Sequence, residues 1–169
     1  DRVSHQEALL FPTSTPPVIE TNANESIANW LALDGDQDVI VLTDFPDQGP
    51  KNLSLGFSFR ASPDVEDSYQ YLWSHDDVGD RSSLNIYLTP DGWLRTGFRA
   101  ENDDWNYRLL DIETDYRDGE WHDYRLHIDW QATIAQVYLD GQLRADGELG
   151  SGAFTPEGHV FLGGRSDLK

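Results

Sequence analysis

Residues 118–141 read DGEWHDYRLHIDWQATIAQVYLDG, two runs of alternating side chains framed by Asp-Gly pairs. In the first run Tyr124, Leu126 and Ile128 alternate with charged or polar neighbours. The second run repeats the pattern at Ala135, Val137 and Leu139. Because successive side chains of a strand point to opposite faces, each run predicts a β-strand with one face in a core. Asp-Gly favours tight turns, since both residues tolerate positive φ.

The same period of two continues through much of the chain from Leu31 onward. Further strand candidates are Leu53–Phe59, residues 84–88, residues 93–98, Val160–Leu162 and, as a short edge strand, Ala8–Phe11. Further Asp-Gly turn signals begin at Asp34, Asp91 and Asp146. The sequence has no convincing amphipathic helix pattern of about ten or more residues. Short strands separated by tight turns predict an all-β fold, a two-sheet antiparallel jelly-roll sandwich.

Composition restricts the partners that we expect. The chain has 12 Lys and Arg against 31 Asp and Glu, for a formal net charge of −19. Such a charge repels phosphate backbones and anionic membrane surfaces, so neither nucleic acid nor membrane insertion is expected, whereas cations are attracted. The sequence also has no apolar run near the roughly 18 residues of a membrane span. With no cysteine, it has neither a disulfide framework nor thiolate chemistry.

The length of 169 residues fits a single domain with a sizeable core. We expect one domain over residues 1–169, in which residues 1–30 form an N-terminal extended segment with a Pro-rich linker signal at residues 12–17. The chain begins at Asp1 rather than Met and shows no signal peptide, so it is a mature product or an excised piece, and we expect a piece of a larger protein. We also expect the module to be monomeric within that larger chain.

Three segments resemble the laminin G-like and pentraxin-like group of concanavalin A-like domains. Residues 31–42 (LALDGDQDVIVL) are similar to the family's opening strand, residues 118–122 (DGEWH) to its step into a central strand, and residues 137–141 (VYLDG) to its hairpin. Their order and spacing are more specific for fold than for function. The resemblance covers residues 31–164 and implies the sandwich fold.

The resemblance also assigns structural roles. In the family the Trp of the Trp-His pair packs between the sheets and the His caps a turn, so Trp121 and His122 are expected to be framework residues. A final strand normally follows the segment that matches residues 160–164. Because the chain stops at Lys169, either that strand is truncated or Ala8–Phe11 takes its place.

A calcium site on one rim is a further implication of the resemblance. The loop at residues 75–83 (HDDVGDRSS) is rich in oxygen ligands, and an acidic tail follows the last strand. By position in the family pattern, the predicted metal ligands are Asp80 and Asp167, with Asp76 and Asp77 as neighbours that can substitute. Calcium suits such loops because it accepts six to eight oxygens in flexible geometry. The alternative is a solvated acidic loop.

Trp105 is a candidate for ligand contact. It lies among polar residues at 101–107 (ENDDWNY), where we expect a turn. An exposed indole can stack on a sugar ring, so Trp105 with Asp80 and Asp167 forms the predicted ligand-binding site. The alternative is a strand residue that faces the core.

One carboxylate series tests the possibility of catalysis. Asp111, Glu113 and Asp115 alternate, so they share one face of a strand. Some glycosidases of this fold carry three carboxylates on one strand in the order Glu-x-Asp-x(-x)-Glu, whereas the order here is Asp-x-Glu-x-Asp. Ile112 pointing inward would also leave the present three facing solvent. The sequence also has no Gly-x-Ser-x-Gly elbow. We therefore expect no enzyme activity.

These observations favour a binding module. We expect a calcium-dependent, carbohydrate-binding, lectin-like module of a secreted or surface bacterial adhesin, with a glycan or other extracellular ligand as partner. The alternatives are a polysaccharide hydrolase or lyase on the same fold, or a structural spacer. The carboxylate order argues against the enzyme, whereas little in the sequence separates a binding module from a spacer.

Overall fold

The computed structural model describes ten segments of the chain, which contain thirteen strands and no helix. The described segments are residues 8–11, 18–21, 29–33, 39–42, 52–64, 68–75, 83–99, 108–129, 131–149 and 159–164. The strands are β1 (Ala8–Phe11), β2 (Val18–Thr21), β3 (Asn29–Ala32), β4 (Val39–Leu42), β5 (Leu53–Phe59), β6 (Gln70–His75), β7 (Ser83–Leu88), β8 (Trp93–Arg99), β9 (Arg108–Asp115), β10 (His122–Asp129), β11 (Ile134–Leu139), β12 (Gln142–Glu148) and β13 (Val160–Leu162).

Two antiparallel sheets form the body of the domain. The larger has seven strands in the order β1-β4-β13-β6-β7-β8-β9, and the smaller has four in the order β12-β11-β10-β5. A separate ribbon pairs β2 with β3. The predicted all-β two-sheet sandwich is confirmed, and the predicted edge strand Ala8–Phe11 pairs with β4 at one end of the large sheet.

The core lies between the two sheets, and alternation explains which residues fill it. On β10 and β11 the apolar residues of the alternating runs are each at most 2% exposed, namely Tyr124, Leu126, Ile128, Ala135, Val137 and Leu139. Leu84, Ile86 and Leu88 of β7 belong to the same cluster from the opposite sheet. A fully buried Leu or Ile contributes about 1.5–3 kcal/mol, so the interior accounts for most of the favourable free energy of folding.

Tight turns form at most of the described Asp-Gly pairs. Asp140 and Gly141 have φ of 53° and 75°, the conformation of a two-residue hairpin turn, and they join β11 to β12. Gly92 and Gly119 also have positive φ. The turn predicted at Asp146 is wrong, because Gly147 lies inside β12.

Gly147 marks a close approach between the two sheets. A Cβ at this position would lie 2.8 Å from Leu110 Cδ2 of β9, so the missing side chain lets β12 pack against the other sheet. A glycine within a strand often marks a position that another part of the chain approaches closely.

Candidate functional site

A row of polar and aromatic side chains crosses the large sheet on the face opposite the core. The strand register aligns Tyr71 of β6, Tyr87 of β7, Arg95 of β8 and Asp111 of β9. Their sequence neighbours on β7 and β8 point inward to the core, so this row points outward. Tyr69, just before β6, packs against Tyr87 and completes a surface that we call the tyrosine patch (Tyr69, Tyr71, Tyr87, Arg95 and Asp111).

The three tyrosines form one aromatic cluster around Tyr87. The Tyr71 ring lies 5.0 Å from that of Tyr87 at 35°, and the Tyr69 ring meets it edge-on at 5.7 Å and 66°. Tyr87 is buried, whereas Tyr69 is 57% exposed. Burial raises the pKa of the Tyr87 hydroxyl, and a hydrogen bond from Arg95 only partly offsets this effect. Tyr87 is therefore a neutral support on which the exposed Tyr69 ring rests.

Arg95 and Asp111 form a bidentate ion pair beside this cluster. Arg95 Nε donates to Asp111 Oδ1 at 2.6 Å, and Nη2 donates to Oδ2 at 2.7 Å. The two side chains are only 22% and 24% exposed, so the pair is partly shielded from water. The hydrogen bonds to Asp111 raise the pKa of Arg95. Planar, bidentate pairs of this kind hold both side chains in one orientation.

The row of outward-facing residues next to the patch is buried at its β6–β7 end and open at its β9 end. In the next row Ser74 Oγ donates to Asn85 Oδ1 at 2.7 Å, and both residues are buried although they point away from the core. Towards the β9 edge of the same row, Leu109 is 42% exposed. The Arg95–Asp111 pair of the tyrosine patch thus lies near the open β9 end of this face, and the exposed Tyr69 ring lies just before β6.

The structure confirms the predicted framework role of His122, but Trp121 does not pack between the sheets as predicted. His122 bonds to Asp140 through Nδ1 at 3.0 Å and to Asp118 through Nε2 at 3.2 Å, which ties two turns together as expected. Burial lowers the pKa of His122, but the hydrogen bonds to the two carboxylates outweigh it and raise the pKa above 6.5. Trp121 instead is half-buried outside the core cluster, with the Arg60 guanidinium 5.2 Å over its ring.

The alternating carboxylates lie on β9 as predicted, with Ile112 pointing into the core. Asp111 belongs to the tyrosine patch, and Glu113 is exposed. Asp115 accepts hydrogen bonds from the Arg117 side chain and backbone, which lower its pKa. Two of the three carboxylates are therefore engaged by arginines.

The predicted metal and stacking residues lie outside the described residues. They are Asp76, Asp77, Asp80, Trp105 and Asp167, and the predicted calcium site stays a prediction. The strands that flank them are described: His75 ends β6 beside Val160, the first residue of the antiparallel β13. The loop after His75 and the tail after Gly164 are thus attached at opposite ends of β13. Within the described segments, no group of three His, Asp or Glu side chains has a metal-binding arrangement.

The small sheet also has a shallow groove on its outer face. Ser54, Arg125, His127 and Tyr138 line it, and Ser54 Oγ lies 3.1 Å from His127 Nδ1. Arg125 is paired with Asp123 at 2.9 Å, but Arg125 is 69% exposed, so the pair is weak in water. This groove has an Arg–Asp pair and a tyrosine but no aromatic cluster. Substitutions in it therefore serve as controls for substitutions in the tyrosine patch.

Two antiparallel sheets packed face to face make the domain a β-sandwich. A laminin G family model, described as the concanavalin A-like lectin/glucanases superfamily, matches residues 34–169, and the chain belongs to this family. The predicted resemblance is confirmed. Comparison with curated proteins finds no match.

Solved structures share the fold at low sequence identity. Domains LG4-5 of the mouse laminin alpha1 chain are 20% identical, with a TM-score of 0.59 over 74% of this chain and 31% of that chain. The binding domain of Paraclostridial Mosquitocidal Protein 1 is 10% identical, with a TM-score of 0.73 over 93% and 39%. The Ruminococcus gnavus IT-sialidase CBM40, bound to alpha2,3 sialyllactose, is 19% identical, with a TM-score of 0.53 over 71% and 66%. The chain spans less than two-thirds of the length of each of these three.

Sequence reasoning missed the tyrosine patch. Its residues come from four strands and one preceding position, and only the pairing register brings them together. The sequence of β7 contained a signal that could have indicated the patch, because the polar Asn85 and Tyr87 alternate with core residues and therefore share the outer face. The described residues include no helix with the length and hydropathy of a membrane-spanning segment.

Proposed function

We propose that the chain is a carbohydrate-binding module and that the tyrosine patch on the large sheet is its sugar-binding surface. The observation that carries the proposal is the exposed Tyr69 ring, which packs against buried Tyr87. Arg95, paired with Asp111, lies beside Tyr87 on the next strand. Sugar rings stack on exposed aromatic faces through their C–H bonds and hydrogen-bond through their hydroxyls. The patch offers an exposed ring at Tyr69 and hydrogen-bonding groups at Arg95 and Asp111.

The relatives support this proposal at the level of the fold. The chain belongs to the concanavalin A-like lectin/glucanases superfamily, and one structure with this fold is a CBM40 solved with alpha2,3 sialyllactose. Another is the binding domain of a mosquitocidal protein. On the same basis, we propose that the module acts outside the cell, as part of a secreted or surface adhesin.

Calcium dependence is a second part of the proposal. Its support is the net charge of −19 and two acidic residues, Asp80 and Asp167, which match ligand positions of the family pattern, with Asp76 and Asp77 as neighbours that can substitute. Carboxylates close together in sequence, such as those of the 75–83 loop, repel one another unless a cation neutralises them. A calcium ion bound only by the folded chain stabilises it by about 2.7 kcal/mol at a hundredfold excess over its dissociation constant.

We propose binding without cleavage. A general acid at neutral pH needs a raised carboxyl pKa, whereas the hydrogen bonds from Arg117 lower that of Asp115. Asp111 is held in a bidentate pair with Arg95, and this geometry favours a positioning role.

A glycan array followed by NMR titration tests the binding proposal. Wild type should bind at least one glycan, and the shifted amide signals should map to β6, β7 and β8. Tyr69→Ala should weaken this binding at least about tenfold. Tyr138→Ala, the same substitution on the small sheet, is the matched control and should bind as wild type does. Binding that is lost equally in both variants would place the site elsewhere.

Thermal unfolding with calcium or chelator tests the metal. Asp80→Ala and Asp167→Ala should each be made, because the loop and the tail are attached at opposite ends of β13. We expect calcium to raise the melting temperature of wild type and one or both substitutions to remove the shift. An unchanged wild-type melting temperature would refute calcium dependence.

A further inference from the structure

We infer that the tyrosine patch selects neutral sugars over acidic ones, an inference that rests on the proposed glycan-binding function. Selectivity depends on what the Arg95–Asp111 pair leaves available to a ligand, on the charges along the row, and on the arrangement of the tyrosines.

The first step is that Asp111 occupies the edge of Arg95 that would otherwise take a ligand carboxylate. Recognition of a carboxylate by arginine is strongest when two parallel N–H groups bond its two oxygens. In this structure Nε and Nη2 already make that pattern with Asp111, at 2.6 and 2.7 Å. Arg95 also lies beside Tyr87 in the strand register and limits the rise in the pKa of the Tyr87 hydroxyl. An acidic sugar would have to displace a partly buried carboxylate from its partner.

The second step is that the row has no surplus positive charge. Arg95 and Asp111 cancel, and Tyr71 and Tyr87 are uncharged. Arg99 follows Arg95 on the same face of β8, at its loop end, and is half-buried and engaged with other residues. The chain as a whole carries a net charge of −19, so an anionic ligand is repelled at long range.

The third step is that the pair suits hydroxyl groups. The remaining N–H groups of Arg95 are donors, and the carboxylate oxygens of Asp111 have further lone pairs that accept. A sugar diol donates and accepts at adjacent oxygens, so it can bond both members without breaking the pair. The exposed Tyr69 ring then offers an apolar face for the ring C–H bonds. This chemistry describes a neutral pyranose.

The test compares neutral and acidic probes on the wild-type chain by NMR titration. The neutral probes are lactose, cellobiose, maltose and N,N′-diacetylchitobiose, and the acidic probes are 3′-sialyllactose, 6′-sialyllactose and a heparin disaccharide. We expect binding of at least one neutral probe, at least about tenfold tighter than any acidic probe. Lactose and 3′-sialyllactose form a matched pair that differs by the sialic acid alone.

Asp111→Asn is the decisive variant, because it keeps the shape of the side chain and removes the charge that occupies Arg95. Relative to wild type, it should raise the ratio of the affinity for 3′-sialyllactose to the affinity for lactose at least about tenfold. Asp123→Asn removes the partner of Arg125 on the small sheet and should leave the ratio unchanged.

The outcomes separate this inference from the proposed function. Tighter binding of acidic probes by wild type, abolished by Tyr69→Ala or Arg99→Met, would overturn neutral selectivity and leave glycan binding intact. An unchanged ratio in Asp111→Asn, in a variant with a wild-type NMR spectrum, would also overturn it. Failure of every probe and of the wider glycan array would refute glycan binding itself, and the inference with it.

Discussion

One buried hydrogen bond joins the two sheets, and its removal has a calculable effect. The Tyr124 hydroxyl of β10 lies 2.8 Å from Thr96 Oγ1 of β8, and both residues are at most 1% exposed. Tyr124→Phe removes the hydroxyl and keeps the ring, which stacks on Phe57 at 5.0 Å. Thr96 Oγ1 then loses this partner in a site that water does not reach.

The expected loss follows from the cost of leaving a buried polar group unsatisfied. That cost is about 1–3 kcal/mol, so Tyr124→Phe should destabilise the domain by about 2 kcal/mol. For a chain of this size, such a loss lowers the melting temperature by about 4–8 °C. Thr96→Val should cost a similar amount for the same reason. The double variant removes both partners, so it should cost about 1–2 kcal/mol less than the sum of the single variants.

Urea unfolding of the four proteins in this cycle measures the coupling directly. Tyr138→Phe is the matched control, because Tyr138 is half-buried on the outer face of the small sheet and its hydroxyl makes only a long bond of 3.4 Å to Gln136. It should change stability by less than about 0.5 kcal/mol. Additive losses in the double variant, or equal losses in Tyr124→Phe and Tyr138→Phe, would refute the reasoning.

Three further predictions concern pH, turns and catalysis. Because its folded pKa is raised, His122 should stabilise the fold fully below about pH 6.5 and lose this contribution as pH rises through the folded value, so His122→Gln should cost more at about pH 5.5 than at about pH 8.5 in urea unfolding; equal costs would contradict this. Gly92→Ala should cost at least about 1 kcal/mol more than Gly141→Ala, because both have φ near 75–78° but only the first would place a Cβ against the Asp115 carboxylate; similar melting temperatures would count against it. Incubation with β-glucan or alginate should release no reducing ends, and cleavage that Glu113→Gln abolishes would overturn the proposal of binding without catalysis.

The sequence was sufficient to predict the strands that have one face in the core and the other face in water. On β10 the burial alternates from His122 to Ile128, as the apolar pattern predicts. β6 was missed because a bulge between Tyr71 and Trp73 shifts its register against β7, which breaks the period of two. The turn at Asp146 was predicted wrongly because the close approach to Leu110 is a contact between sheets, which no local pattern contains.

The candidate site was harder to predict for a related reason. Alternation tells which residues of one strand share a face, but a site that crosses four strands depends on their register. Asp111 was noticed only as part of a carboxylate series on its own strand, whereas its partner Arg95 lies on the neighbouring strand. The burial of Asn85 was also not predictable, because its polar side chain points away from the core.

The position of the tyrosine patch on the sheet also determines how its residues should respond to mutation. Leu94 and Thr96, the neighbours of Arg95, are each 1% exposed, and Tyr87 likewise lies between two fully buried residues of β7. Their backbones are therefore fixed by the core, and a preorganised surface loses less entropy on binding. Tyr69 precedes β6 and is largely exposed, so its removal deletes a contact and leaves this support in place. Substitution of Tyr87 would instead remove the ring against which Tyr69 and Tyr71 pack, and would lower both stability and affinity.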